Sequence, residues 1–130
     1  MQHMKLSVFF VLIFLFCNHL PGQPSSGFLT TDGAWCWFSD PRAILVDHYL
    51  ITGWVKSDGS VESARFDLTN QTIQTSELFY KLETDDHNNP AFVLTGNGQI
   101  LAMYTRHNRK DLFINRLADY KTEFTYSGAQ

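Results

Sequence analysis

Beyond residue 23, short runs of alternating or continuous apolar residues are separated by residues that favour turns. Because successive side chains of a strand point to opposite faces, such runs predict strands. No stretch of eleven residues has helical periodicity, so the sequence predicts an all-β chain. Eight strands are predicted: Ala43–Val46, Tyr49–Val55, Val61–Leu68, Thr72–Phe79, Ala91–Leu94, Gln99–Thr105, Leu112–Leu117 and Thr122–Tyr126.

The connections between these strands carry turn signals. Asp58-Gly59 and Asn97-Gly98 are pairs typical of tight hairpins, because such turns need residues with positive φ. Asp47-His48, Thr69-Asn70 and the segment 108–110 are further predicted turns.

The eight strands divide into two similar sets of four. Pro41 aligns with Pro90 at an offset of 49 residues, and Trp54 with Tyr104 at an offset of 50. A four-stranded unit that repeats every ~40–50 residues is typical of a β-propeller blade. We therefore predict the first two blades of an incomplete propeller, at about 41–80 and 88–127 within residues 33–130. A β-sandwich of two sheets also fits eight short strands.

The length of the chain bears on this prediction. A propeller needs about 4–8 blades to close, so two blades indicate either the N-terminal part of a longer protein or an assembly. We expect the former.

The N-terminus predicts an exported protein. One lysine precedes an apolar stretch of twelve residues, Leu6 to Cys17, which is too short to span a bilayer and fits a signal peptide. Residues 1–22 are predicted as the signal peptide and 23–32 as a linker. The mature protein would be secreted or periplasmic, with no membrane span, and Cys36 would be its one cysteine.

Composition and charge exclude several classes of function. The 130 residues carry a formal charge of −3, and no basic excess indicates nucleic-acid binding. Neither a phosphate-binding glycine loop nor zinc-finger spacing occurs. We predict no cofactor, no metal and no obligate protein partner; Asp85 and Asp86 alone are a weak signal for calcium.

Four segments then resemble the BNR-repeat propeller family that includes the ulvan lyases. They are Trp35-Cys-Trp-Phe-Ser-Asp-Pro-Arg-Ala, Tyr49–Val55 with Ser57-Asp-Gly-Ser, Asp85-Asp-His-Asn-Asn-Pro-Ala, and Ile100-Leu-Ala-Met-Tyr-Thr-Arg-His. The similarity runs from about Gly33 to Leu117 and is most specific in the third segment. It implies a polysaccharide lyase that cleaves a uronate-containing, ulvan-like glycan by β-elimination, present here as an N-terminal fragment. The partner would be an acidic polysaccharide bearing carboxylate or sulfate groups.

The residues of the third segment are compatible with this function. His87 precedes a buried strand, at a position that faces the channel mouth in a propeller, and His107 follows 20 residues later. A hairpin of this length brings the two histidines to one end of a blade. β-Elimination needs a base for the proton α to the carboxylate, and histidine, with an ordinary pKa of ~6.5, suits that role. Alone, each histidine is also compatible with a surface or hydrogen-bonding role.

The resemblance implies that both histidines lie in the active-site cleft, and we expect His87 and His107 to be catalytic, with His87 favoured as the base. In the resembled lyases a tyrosine completes the acid–base work and an arginine neutralises the substrate carboxylate, both on later blades. This chain would therefore carry at most half of the catalytic set, and we expect the fragment alone to be inactive.

Four further residues are predicted to bind substrate, and three of them have a structural alternative. Arg42 suits a sulfate or carboxylate but equally an ion pair, and Asn88 suits a sugar or a turn. Tyr104 matches Trp54 in the repeat, which favours core packing over stacking on a sugar. Arg106 occupies a position where the family has a small residue, so the identity of the substrate is not determined.

Two other functions remain as alternatives. A glycoside hydrolase of similar fold would need two carboxylates across a cleft. A non-catalytic glycan-binding module needs none of this chemistry.

Overall fold

The computed structural model describes residues 27–34, 36 and 42–128, and contains two four-stranded antiparallel sheets. In each sheet the strands follow one another in chain order, so both are simple meanders. The first sheet contains β1 (Ala43–Val46), β2 (Tyr49–Val55), β3 (Val61–Asp67) and β4 (Thr72–Phe79). The second contains β5 (Ala91–Leu94), β6 (Ile100–Tyr104), β7 (Phe113–Leu117) and β8 (Ser127–Gly128). The predicted all-β class and the division into two sets of four strands are confirmed.

The predicted hairpin turns are present. Gly59 and Gly98 have φ values of 85° and 83°, and Asp47 has a φ of 55°. A side chain at such a φ is strained by its own Cβ, which explains the glycine at the first two positions.

The last strand was predicted at the wrong place. Residues 122–126 alternate as a strand would, but Phe124 is buried in the core and Tyr126 packs against it without joining a ladder. The pairing with β7 instead involves Ser127 and Gly128. The alternation of apolar residues was misleading here. It reflects side chains that pack between the two sheets and not a strand that pairs within a sheet.

Helical structure in the described residues is confined to one short element. Asp86–Asn88 forms a 3-10 helix of three residues just before β5. Within the described part of the chain, no helix has both the length and the apolar character needed to cross a membrane.

The core lies between the two sheets, and it forms two clusters. One contains Val46, Ile51, Ile100, Leu117, Tyr120 and Phe124. The other contains Val61, Leu78, Leu82, Ala102 and Tyr104. Phe92 packs against both clusters, so β5 links them.

The third strand of each sheet carries a buried polar residue that faces this core. The Arg65 guanidinium donates to the carbonyl of Tyr120 and to Gln74 and lies 4.8 Å from the centre of the Tyr49 ring. In the second sheet, Asn115 donates to the carbonyl of Leu78 over 3.2 Å. A buried polar group is costly unless it is hydrogen-bonded, and both are.

The outer face of the first sheet carries a row of apolar side chains. Leu45, Leu50, Phe66 and Ile73 are consecutive cross-strand partners and form a row across the first sheet. A groove of about 550 Å³ lies on this face; its lining residues are Gly27, Phe28, Leu29, Leu50, Phe66, Leu68, Gln71 and Ile73. None of these residues is titratable, so the groove is an apolar surface and not a centre of acid–base chemistry.

Some sequence predictions lie outside the described residues. These are the signal peptide at 1–22, residues 23–26 of the linker, and the entry of Pro41 into β1. Pro90 is described, is fully buried and leads directly into β5, as predicted.

Candidate functional site

The polar residues singled out by the sequence collect at one end of the two sheets, the end where β1 and β5 begin. We call it the histidine end. The antiparallel register places the beginning of β5 beside the finish of β6, since Ala91 pairs with Met103. His87 precedes β5 and His107 follows β6, so the topology alone brings them to the same end.

A close backbone contact holds the segment that carries His87. Gly59, in the β2–β3 turn, accepts a hydrogen bond from the Glu83 N–H over 3.3 Å. A Cβ on Gly59 would lie 2.8 Å from the carbonyl carbon of Glu83. Only glycine therefore permits both the positive φ of the turn and this approach.

Asp85 begins the 3-10 helix and organises it. Its carboxylate Oδ1 accepts the backbone N–H of His87 over 2.9 Å, as an N-cap residue does. The same carboxylate then holds both histidine side chains. His87 Nδ1 lies 2.8 Å from Oδ1, and His107 Nδ1 lies 2.8 Å from Oδ2.

The two histidine rings are neighbours on the surface. Their centroids are 4.1 Å apart and their planes are inclined by 40°. The side chains of His87 and His107 are 40% and 36% exposed. The sequence-based prediction that both lie at one end of the second sheet, on the same open surface, is confirmed.

The ionisation of Asp85 sets the proton positions in this trio. Burial acts to raise the pKa of Asp85, but hydrogen bonds from the backbone N–H of His87 and from the side chains of His107 and His87 outweigh it and lower the pKa to about 2. An ionised carboxylate only accepts hydrogen bonds, so the Nδ1 atoms of both rings donate. In a neutral imidazole the other nitrogen, Nε2, then carries the lone pair.

Glu83 supports the trio from the side. Its Oε2 accepts the backbone N–H of His107 over 2.9 Å and the side-chain amide of Asn88 over 3.1 Å. These two hydrogen bonds are the largest causes of a lowered pKa at Glu83. Glu83 therefore ties the loop after β6 to the segment before β5.

Asn88 is a buried part of this framework. It is 1% exposed, and its Oδ1 has no hydrogen-bond partner within the described part of the chain. Its burial at the last position of the 3-10 helix favours a structural role over contact with a sugar.

Arg42 lies at the same end, immediately before β1. Its guanidinium donates to the carbonyl of Asn89, whose own side chain accepts the N–H of Val55 over 3.1 Å. Arg42 thus joins the first sheet to the segment that carries His87.

Tyr104 is separated from the exposed cluster. It is 3% exposed, and its hydroxyl lies 3.0 Å from the carbonyl of Leu78 and 2.5 Å from Oδ1 of Asn115. Burial raises its pKa strongly. Tyr104 is therefore part of the core. The repeat favoured this placement over contact with substrate.

Arg106 is close to His107 in the chain but is engaged elsewhere. It forms an ion pair with Asp111 over 2.9 Å and lies 5.6 Å from the centre of the Phe113 ring. Its side chain is 39% exposed.

Sequence reasoning missed Asp85 and Glu83 as organisers of the site. The spacing Asp85-x-His87 before a proline was a usable signal, because an aspartate commonly caps the backbone two residues on. Glu83 had no such signal, since its partner His107 is 24 residues away.

Donor atoms suited to a metal ion converge here. Asp85, His87 and His107 each offer one ligand atom, and these atoms lie within 4.8 Å of one another. Cys36, Asp86 and His87 form an overlapping set within the same limit.

A shallow groove of about 320 Å³ opens beside these residues. It is lined by Ala34, Val55, Lys56, Ser57, Thr84, Asp85 and Asp86. The groove gives a ligand access to the Asp85 side of the cluster.

Comparisons of this chain with protein-family models, with curated proteins and with solved structures found no match.

Proposed function

We propose that these residues form the first two blades of a β-propeller in a secreted polysaccharide lyase, which cleaves an acidic, uronate-containing glycan by β-elimination. The observation that carries the proposal is the pair of exposed histidines joined by one carboxylate, at the end of the second sheet.

The arrangement of the sheets supports the propeller. β1 and β5, the first strands of the two meanders, lie beside each other. On the outer face of the second sheet, Val93 pairs with Leu101 and Met103 with Ile114, so apolar side chains lie there beside Arg116, as they do in the row across the first sheet. A sandwich of two sheets keeps its outer faces polar, whereas a blade packs against a neighbour on each side.

The proton positions support a base at this end. With Nδ1 donating to Asp85, each neutral ring is oriented with its basic Nε2 away from that carboxylate. His87 takes the proton α to the uronate carboxylate, and His107 shares the proton transfer or orients the uronate. Asp85 holds both rings in the required tautomer, the part that a carboxylate plays beside a catalytic histidine.

We assign charge stabilisation to later blades. The enolate-like intermediate needs a cationic group at the uronate carboxylate. At the histidine end, Glu83, Asp85 and Asp86 are acidic, while Arg106 is paired with Asp111. The neutralising arginine and the tyrosine acid are therefore assigned to later blades, as the resemblance implies.

The test uses a protein in which these 130 residues are followed by the later blades, incubated with ulvan and with other uronate-containing glycans. The unsaturated uronate product of β-elimination absorbs in the ultraviolet, and neither hydrolysis nor simple binding generates it. We expect His87→Ala to lower turnover roughly 10²–10⁴-fold, the usual contribution of a general base. His48→Ala, at the opposite end of the sheets, is the control and keeps wild-type turnover.

The other outcomes contradict the proposal. New reducing ends without the chromophore indicate a glycoside hydrolase, and glycan binding without cleavage indicates a binding module. Wild-type turnover in His87→Ala removes the assignment of the base.

A further inference from the structure

The cluster at the histidine end has a second chemical capacity, which does not depend on lyase activity. We propose that Asp85, His87 and His107 bind a divalent transition metal ion such as Zn²⁺. Two imidazoles and one carboxylate form a ligand set that such ions use, whereas Ca²⁺ and Mg²⁺ prefer oxygen ligands alone.

The distances in the trio are close to those of a filled site. Both Nδ1 atoms lie 2.8 Å from an oxygen of Asp85. Ligand atoms bound at about 2.0–2.2 Å from one ion lie roughly 3–3.5 Å from each other. The ion would replace the two shared protons, and rotations of the three side chains, whose ligand atoms lie within 4.8 Å of one another, would bring these atoms to bonding distance.

The backbone that carries the ligands is held without an ion. Asp85 caps the 3-10 helix, and Glu83 accepts the N–H of His107. Because both ligand segments are already ordered by these hydrogen bonds, little conformational entropy is lost on binding.

A second observation points to a cation at the same place. Cys36 and Asp86 converge on His87, with their ligand atoms and that of His87 within 4.8 Å of one another. Asp86 Oδ1 lies 3.1 Å from His87 Nδ1, and Cys36 is buried with a free thiol. A fourth ligand from Asp86 or Cys36 would complete a tetrahedral site.

One consequence rests on the proposed function. A metal ion takes the Nδ1 lone pair, which moves the ring proton to Nε2 and removes the base described above. Metal binding and base catalysis by these histidines would exclude each other, so Zn²⁺ would inhibit the lyase. Metal binding itself is measured directly, so its test is independent of the lyase activity.

The experiment titrates Zn²⁺ by calorimetry, and Co²⁺ by visible absorption, into the 130-residue chain. His3, Cys17 and His19 are replaced throughout by His3→Ala, Cys17→Ser and His19→Ala, because they offer competing ligands near the N-terminus. We expect one ion per chain and a cobalt spectrum that reports nitrogen ligation.

Three variants assign the site. We expect His107→Ala and Asp85→Asn each to weaken binding about tenfold or more. His107→Ala keeps the backbone N–H that Glu83 accepts, and circular dichroism verifies that each variant is folded. His107→Gln, which preserves a polar side chain of similar length, should lose the ion as well. His48→Ala is the matched control and should bind as the parent does.

Two results would overturn the proposal. One is the lack of saturable Zn²⁺ binding by the folded parent chain. The other is binding that His107→Ala and Asp85→Asn leave unchanged, or that His48→Ala weakens equally.

Discussion

Each end of the sheets contains an aspartate beside histidine, but the two aspartates use their oxygens differently. At the histidine end, both oxygens of Asp85 accept from imidazole nitrogens at 2.8 Å. At the opposite end, where the β1–β2 and β3–β4 turns lie, His48 Nε2 is 3.9 Å from Asp67. That distance is beyond a hydrogen bond.

The oxygens of Asp67 serve the β3–β4 turn, and Oδ2 accepts the side-chain amide of Asn70 over 2.9 Å. Its Oδ1 accepts the N–H groups of Thr69 at 2.8 Å and Asn70 at 3.2 Å, which closes the β3–β4 turn. Burial acts to raise the pKa of Asp67, but these hydrogen bonds outweigh it and lower the pKa. The same residue types therefore form a turn at one end and an ordered side-chain cluster at the other. What differs is the contact with imidazole: Asp85 holds two imidazoles in addition to one main-chain N–H, whereas the His48 ring stays 3.9 Å from Asp67.

The largest difference in stability between the two ends is expected when alanine replaces Gly59, at the histidine end, or Gly98, at the opposite end. Gly59 and Gly98 have nearly equal φ, but a Cβ on Gly59 would meet Glu83 at 2.8 Å, whereas one on Gly98 has no neighbour within 4 Å. Both variants lose about 1 kcal/mol for the positive φ. Gly59→Ala loses roughly 1–3 kcal/mol more for the overlap. Chemical denaturation of both variants measures the difference, and equal losses would show that the close approach does not hold the histidine segment.

The packing between the two sheets can be tested by measuring the free energy of unfolding at alkaline pH. Burial raises the pKa of Tyr126 to about 12, against a smaller opposing effect of its hydrogen bond with Ser63. Because the folded pKa lies above the unfolded value of about 10, this stabilisation is complete below pH 10 and is lost as the pH rises through 12.

The expected loss over this pH range is about 2 kcal/mol. Tyr126→Phe should flatten the alkaline fall in the free energy of unfolding, while Tyr80→Phe, at an exposed side chain, should not. A slope that Tyr126→Phe leaves unaltered would contradict the burial of this hydroxyl.

A smaller effect is expected from Asp85→Asn, about 1 kcal/mol for the lost charged hydrogen bonds. Its sharper readout is nitrogen NMR of the histidine side chains in an alkaline buffer, which distinguishes a proton on Nδ1 from one on Nε2. In the wild type, both His87 and His107 should carry their proton on Nδ1. An asparagine amide has one accepting oxygen, so at least one ring should change tautomer.

Asp67→Asn is the counterpart at the opposite end. The amide oxygen that this substitution introduces can still accept the turn N–H groups, and the spectra of His87 and His107 should not move. A wild-type pattern of tautomers in Asp85→Asn would show that this carboxylate does not orient the rings.

The smallest effect is expected from His48→Ala. The imidazole is 49% exposed and lies 3.9 Å from Asp67, so its removal should change the free energy of unfolding by less than about 0.5 kcal/mol. If denaturant unfolding showed that His48→Ala lowers the free energy of unfolding by more than about 1 kcal/mol, the proposed difference between the two ends would be wrong.

Local pattern was sufficient for most of the fold. β1, β2, β4 and β5 have the predicted bounds, and β3, β6 and β7 differ by at most one residue at an end. These strands are bounded by turns whose chemistry is local, such as Gly59 and Gly98 with their positive φ. The prediction of a strand at Thr122–Tyr126 was wrong because Phe124 is buried, and Tyr126 half-buried, against residues distant in the chain.

For the candidate site, the sequence predicted which residues lie near one another but not which of them form hydrogen bonds. The spacing of His87 and His107 indicated that they share one end of a sheet. Their common carboxylate was not indicated, because each contact depends on side-chain directions set by the fold. The burial of Tyr104 was indicated, because its match with Trp54 in the repeat favoured core packing.

The amino-acid sequence by itself determined the alternation of strands and turns, the twofold repetition and the polar segment before β5, because these depend on residues within a few positions of each other. Tertiary structure decided which polar residues became partners. Gly59 brings the backbone of Glu83 close, Glu83 then holds the loop of His107, and Asp85 receives the His107 imidazole beside that of His87. The contacts that Glu83 and Asp85 make with the His107 loop join residues 24 and 22 positions apart, where the docking of one turn against another sets the distance.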